Sequence, residues 1–598
     1  MWRRNHRLLR TTFPVIPRQW GILIFPLLVM WAMPDQAMPA NLKAAAVVAR
    51  LADHFVAEYK RRFPFAVMYT GLPLEVQSGI DINAPRELQR WRHFVRSTEG
   101  QLAHVPESDL VGSPAWITRA YLTQGIAQAR TMETCRSELW DPDRWVFRLP
   151  WIADAQPVAT AKDRREALER WNRLAAWIDQ DATNLAEGLR EGYSGYRGAI
   201  ESEIRQIDEL IAAPSEQWPT TTLAKRANDP EFTRKLSAIR QDMLIPAAKR
   251  YRDFLQTEYS AKARITASII GQPHGVQCLR ARLMSSTTVD MDPIAMFDVL
   301  VARRHAEREH ILELAQKVYG VTDLTWEDFN ARLRVDPRDH FHDAEDIRAT
   351  VERVIAGARA ALPKMVSTPP SGDILIKAVP DYLLDAAPAG QFFPASNDGS
   401  RPPTFSYRGT SANFHRVTAE SLAIHETSPG HYLQWAVLAQ RHGEPLHTIT
   451  RLVLVEGSAE GWATYAEGWA AELGLYSTPF DEMGGFVNSV TPSAVADLGM
   501  QVKGWSIDQA AAYLHEERPL HMYDEARGWA ANLASSPAGG VETYPIDGLQ
   551  YEAARKRAQE ALGSRFDSLE YHQMILSDGA LPIPDLNTKV SRWISAHR

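Results

Sequence analysis

The sequence predicts a mainly α-helical protein with one small β element, and three observations carry that reading. Long stretches between residues 41 and 362 repeat apolar residues at intervals of three and four, with charges between them. Gly-Pro joints such as Gly271-Gln-Pro-His-Gly275 separate these stretches. Strand-like segments are short and fall between residues 363 and 407, where Thr368-Pro-Pro-Ser-Gly372, Ala387-Pro-Ala-Gly390 and Arg401-Pro-Pro403 change the character of the chain.

Taken in order, the chain opens with Arg3, Arg4, Arg7 and Arg10, then an apolar run over 20–33, then small residues near Ala37 and Ala40. Residues 1–40 therefore read as a secretory signal peptide or an N-terminal anchor. The run is short for a membrane span and no later stretch is long enough, so the expectation is a periplasmic or secreted protein without stable membrane association once the signal is cleaved. No cysteine lies near this segment, which argues against a lipid-modified N-terminal cysteine. Cys135 and Cys278 are the only cysteines, and their spacing leaves open whether they pair.

Helices are expected over 44–61, 87–99, 162–193, 198–213, 229–260 and 293–319, all within an N-terminal helical part, 41–362. The remainder, 363–598, carries the candidate site, and the two parts are read as one large domain. Strands are expected at 374–379 and 404–408. The second lies just before the site, and so is the candidate edge strand for pairing with a substrate backbone. At 598 residues, 45% hydrophobic and 23% charged, the chain can bury a large core, and a formal charge of −7 gives no reason to expect nucleic acid, which calls for a basic face.

The chemistry-bearing stretch is His425-Glu426-Thr427-Ser428-Pro429-Gly430-His431. In a His-Glu-x-x-His helix two histidines share a face and reach one Zn²⁺, while the glutamate works on the attacking water. Here the second histidine comes six residues after the first, a rotation of roughly 240° on an unbroken helix. Pro429 lacks the N–H that would bond back to His425 and Gly430 tolerates unusual backbone angles, so a break is expected there. Looping out two residues restores the geometry of the shorter motif. Ser428 has no Gly-x-Ser-x-Gly elbow around it, and His305, His310, His340, His342 and His415 sit among charges as surface residues.

A further helix is expected over 452–473. Setting Glu456 at zero, Glu460 falls at roughly 40° and Glu467 at roughly 20°, while Val455, Trp462, Trp469 and Leu473 gather at roughly 220–260°. Residues 453–476 contain no lysine or arginine, so the acidic stripe lacks basic partners and suits a cation or a substrate amine. His425, His431 and one glutamate of this stripe would supply the three protein ligands of a hydrolytic zinc site, with Glu426 as general base.

The stretch His425-Glu-Thr-Ser-Pro-Gly-His-Tyr-Leu-Gln434 closely resembles the His-Glu-x-x-Pro-Gly-His-x-Leu-Gln signature of the bacterial proteins known as domain of unknown function 885. Glu460-Gly-Trp-Ala-Thr-Tyr-Ala-Glu467 resembles that family's Glu-Gly-Trp-Ala-x-Tyr-x-Glu, Lys503-Gly-Trp505 its Lys-Gly-Trp, and 566–582 its closing segment. The resemblance implies a zinc-metallopeptidase-like protein, with a large helical zincin-like fold, a deep cleft and a small β element near the site. It favours Glu460 as third ligand over the runner-up Glu456, and Tyr544 as the donor that stabilises an oxyanion. It also exposes two departures. Gln501 stands where the family commonly has a histidine, and Pro537-Ala-Gly-Gly-Val541, with Gly540, replaces Pro-Gly-Gln-Ala-Leu.

The combined expectation is an exported hydrolase holding one Zn²⁺ ion and cutting short or unfolded peptides. The alternatives are a catalytically degenerate metal- or peptide-binding relative and a zinc amidase acting on a small non-peptide amide.

Overall fold

The helical periodicity of the N-terminal part is realised, with boundaries set by local caps. A computed structural model describes residues 40–598 apart from 71, 380–388, 396–401, 411–413, 442–445 and 537. The expected signal or anchor lies outside the described residues. The helix Ala161–Glu191 starts on a Thr160–Asp163 capping box and stops at Gly192, whose φ of 87° ends the helix at no Cβ cost. Asp292 caps Pro293–Tyr319, and Gly320 closes it with φ 65°. The stretch expected as one helix over 229–260 is helical from Pro230 to Tyr259, with π turns at Arg240–Leu244 and Leu255–Tyr259. Helices Pro114–Cys135 and Ala344–Met365 add to those read from periodicity. Among the described residues, no helix is long and apolar enough to cross a membrane.

The main core draws on both halves of the chain. Phe55, Trp116 and Leu122 from the N-terminal helices pack in one cluster with Trp462, Tyr551 and Ile594. A second cluster, built from residues such as Trp171, Ile200, Leu236 and Tyr251, lies within the N-terminal part. Cys135 and Cys278 are joined by a disulfide across a separation of 143 residues, settling the pairing that spacing left open.

Three strands form the small sheet: β1 (Leu375–Ala378), β2 (Gly390–Phe393) and β3 (Thr404–Tyr407). Their order is β1-β3-β2, with β1 parallel and β2 antiparallel to β3. Segment 404–408 is therefore not the edge strand expected from sequence. Its apolar residues Phe405 and Tyr407 are buried with Ala423 and Ile424, and partners cover both sides of it. The edge beside the site is β2. Arg408 donates its N–H to Ala389 O at 2.9 Å, and the alternation of an antiparallel ladder then turns the backbone groups of Gly390 and Phe392 outward.

Candidate metal centre

Two short helices and one long helix build the centre. Arg416–Glu426 delivers His425 and Glu426, His431–Ala439 begins on His431, and Glu456–Glu472 carries the acidic stripe. The chain leaves helical geometry between the first two, as Pro429 and Gly430 require, and Ser428-Pro429 is a cis peptide. Gly430 is there for space. A Cβ on it would lie 1.9 Å from His425 O, a separation no side chain tolerates. The carbonyls freed by the break are not left bare, because the buried Trp462 indole donates to Pro429 O at 3.0 Å and Gly430 O at 3.2 Å.

The striped helix starts later than expected. Ile449–Leu452 is a separate turn, Val455 has non-helical backbone angles, and Glu456 is the first helical residue. The division of its faces is as read, with Trp462 and Trp469 in the core and Glu460 and Glu467 toward the histidines. Small residues bring the next wall close. A Cβ on Gly461 would lie 2.3 Å from Asp547 Cβ, so only glycine admits this approach of helix Thr543–Leu562, which carries Tyr544.

His425, His431 and Glu460 converge, each offering a ligand atom within 4.8 Å of the others. Glu460 Oε2 lies 3.3 Å from Nε2 of both histidines, and the imidazole rings are perpendicular with centroids 4.8 Å apart. Two imidazole nitrogens and one carboxylate oxygen form a donor set suited to Zn²⁺ that leaves room for a fourth group. Glu456 lies outside this cluster. Its side chain keeps contact with solvent, yet burial, with the charge of Glu460 adding to it, pushes its carboxyl up to about 7.

Glu467, the last residue of the stripe, plays a part that sequence reasoning missed. Its Oε1 lies 2.8 Å from His425 Nδ1, and its Oε2 accepts the Ser421 hydroxyl. A carboxylate on Nδ1 fixes the tautomer and leaves Nε2 for the cluster. The stripe placed Glu467 on the correct face but could not name its partner.

The charges respond to one another. Burial acts to raise the Glu460 carboxyl, but the two imidazoles outweigh it and hold the group well below the usual range. For His425, burial acts to lower the imidazole, and Glu460 and Glu467 outweigh it, driving the group well above its ordinary value. The enclosure is thus rich in negative charge and favours a cation. Tyr544 stacks on His425 with centroids 5.8 Å apart and an interplanar angle of 18°. Burial first, then Glu460, Glu426 and Glu456, keep its phenol protonated as a donor. Glu426 accepts the Phe392 N–H at 2.7 Å, so the base candidate touches the outward edge of β2.

Of the two departures, Gln501 does not face the histidines. It is 2% exposed, its Oε1 accepts the Ile269 N–H at 3.0 Å, and its carbonyl accepts the Ser268 hydroxyl at 2.7 Å, so its role is structural. A Cβ on Gly540 would meet open space. Pro537 lies outside the described residues. His305, His340 and His342 are exposed as expected, whereas His415 is tied to the buried Asp339 carboxylate at 2.6 Å.

The fold is shared with two solved structures. One is the crystal structure of a protein described as a lipoprotein from Colwellia psychrerythraea, with TM-score 0.80 and 19% identity over 93% of this chain and 99% of that one. The other, described as a lipoprotein of unknown function from Shewanella oneidensis, has TM-score 0.73 and 16% identity over 90% of this chain and 99% of that one. Comparison with curated proteins finds no match. The sequence matches the family described as bacterial protein of unknown function (DUF885) over residues 64–590, and the chain belongs to that family.

Proposed function

We propose that this protein is a zinc-dependent hydrolase of zincin-like type that cleaves short or unfolded peptides. The observation that carries the reading is the convergence of His425, His431 and Glu460 within 4.8 Å. Zn²⁺ bound there would supply a Lewis acid and lower the pKa of the attacking water. Glu426 takes the proton from that water and returns it to the leaving amine, held in place by the Phe392 N–H. The Tyr544 phenol donates to the oxygen on which negative charge develops. Glu467 holds the His425 ring in the tautomer the centre requires.

A peptide is favoured over a compact small amide by β2. The outward Gly390 backbone and the Phe392 carbonyl offer hydrogen bonds to an extended chain passing Glu426, which itself holds the Phe392 N–H. The disulfide, together with the basic and apolar N-terminal sequence, supports export into an oxidising compartment.

Digestion of an unbiased peptide library, read by mass spectrometry with and without chelator, tests the reading. Cleavage that stops on chelation and returns with Zn²⁺ is expected. No chelator-sensitive cleavage of any peptide would turn the assignment toward a degenerate binding protein or a non-peptide amidase.

A further inference from the structure

A guanidinium without a carboxylate partner points to what the substrate carries. Arg303, Arg304 and Arg308 line a network in which each has a carboxylate: Arg303 meets Glu552 at 2.9 Å, Arg304 meets Glu517 at 2.8 Å, and Arg308 meets Glu517 at 2.7 Å. Arg518 follows Glu517 directly and has no acid among the described residues. Its side chain makes one hydrogen bond there, from Nη1 to Ser493 Oγ at 2.9 Å, and that oxygen also accepts the Trp529 indole N–H at 2.9 Å. The residue as a whole is only half-buried, yet burial, with Arg304 adding to it, pushes its guanidinium down to about 10. His521 lies close by with its Nδ1 buried and without a hydrogen-bond partner. Burial first, then the nearby Arg518 and His415, pushes His521 down to about 3, so its ring is neutral and can donate one N–H.

A planar guanidinium with most of its donors unused, partly desolvated and lacking an anion, is incomplete as a structural element. A carboxylate ligand would supply the anion that the described chain does not place beside it. Two routes connect it to the metal centre. Ser493 and Asp497 are one turn apart on helix Thr491–Val502, and Asp497 shares a hydrogen bond with Glu542, two residues before Tyr544. On the other side, His415, bound to Asp339, stands at the N-cap position of the helix that ends at His425 and Glu426. From His415 to His425 that helix spans about 15 Å, a length an extended chain covers in about four to five residues.

We propose that Arg518, with His521 beside it, is a subsite for a carboxylate of the substrate, several residues from the bond that is cut. The proposal rests on the peptidase reading above. The carboxylate is that of the peptide C-terminus or of an acidic side chain, and both present the same two oxygens to the guanidinium.

Three peptides of one length separate these cases: a free acid, its C-terminal amide, and an amide with one internal glutamate. Their binding to zinc-loaded Glu426→Gln protein is measured by calorimetry, and their cleavage by wild-type protein is followed in parallel. Binding of at least one carboxylate-bearing peptide about tenfold tighter than the plain amide is expected, with the difference abolished by adding Arg518→Gln. A preference for the free acid identifies the terminus, and a preference for the internal glutamate identifies the side chain. Equal binding of all three, or no binding, overturns the subsite, and equal cleavage of all three by wild-type protein overturns it even if Arg518→Gln does not fold. Cleavage without discrimination leaves the hydrolase standing and removes the subsite. Discrimination without cleavage does the reverse.

Discussion

Glu467 Oε1 lies 2.8 Å from His425 Nδ1, while the opposite nitrogen of the same ring lies 3.3 Å from Glu460. The imidazole is thus held at both ends, one by an orienting carboxylate and the other by a prospective co-ligand. Replacing Glu467 with Gln keeps the shape but weakens the acceptor on Nδ1. Zinc affinity is expected to fall about 10–100-fold with the fold retained. Competition against a chromophoric chelator reads this directly, and an unchanged affinity would remove Glu467 from the centre.

Glu460 and Glu456 are one turn apart, and only Glu460 joins the two histidines. Glu460→Gln is expected to lose stoichiometric zinc, whereas Glu456→Gln is expected to keep about one ion per chain. Metal analysis of both variants after gel filtration separates the two choices.

At Gly430 a Cβ would lie 1.9 Å from His425 O and 2.7 Å from Ile424 O. Gly430→Ala must push the break open, at a cost of roughly 3 kcal/mol, and must carry His431 with it. Urea unfolding and zinc titration should both register the change. A stable variant with intact zinc binding would contradict the packing described at the break.

Far from the centre, Glu203 is 4% exposed, and burial, with Asp143 adding to it, pushes its carboxyl up to about 8 against an unfolded value of 4.5. Between those two values the folded chain holds a proton that the unfolded chain has released, so stability is fully present below pH 4.5 and is lost as pH rises toward 8. Glu203→Gln removes that titration, and Oε1 has no hydrogen-bond partner to lose. The variant is expected to gain roughly 1–3 kcal/mol over wild type at pH 8 and little at pH 5, as measured by urea midpoints.

Much of this arrangement can be read from the residues. Pro429 and Gly430 announce the break because one lacks an N–H and the other lacks a Cβ, and the wheel from Glu456 separates carboxylates from tryptophans. Those are local properties of one segment. The edge strand could not be read in this way, because whether 404–408 or 390–393 is the edge depends on which strand pairs with which, and Gly390-Gln-Phe-Phe393 carries no alternation of its own. Gln501 looked like a substituted cleft residue until its contacts with Ser268 and Ile269, more than two hundred positions away, showed where it points. The late start at Glu456 follows from the turn at Ile449–Leu452, where tertiary packing overrides a continuous apolar pattern.

The most direct measurement compares wild-type and Glu426→Gln proteins, each loaded with zinc and assayed on one chelator-sensitive peptide from the library. Glu426 takes part in the chemistry but not in the ligand cluster, so the variant should hold about one zinc per chain and cleave at least about a hundredfold more slowly. A variant that binds zinc and cleaves as fast as wild type would contradict the assignment of Glu426 as the base, and with it the mechanism proposed for this centre.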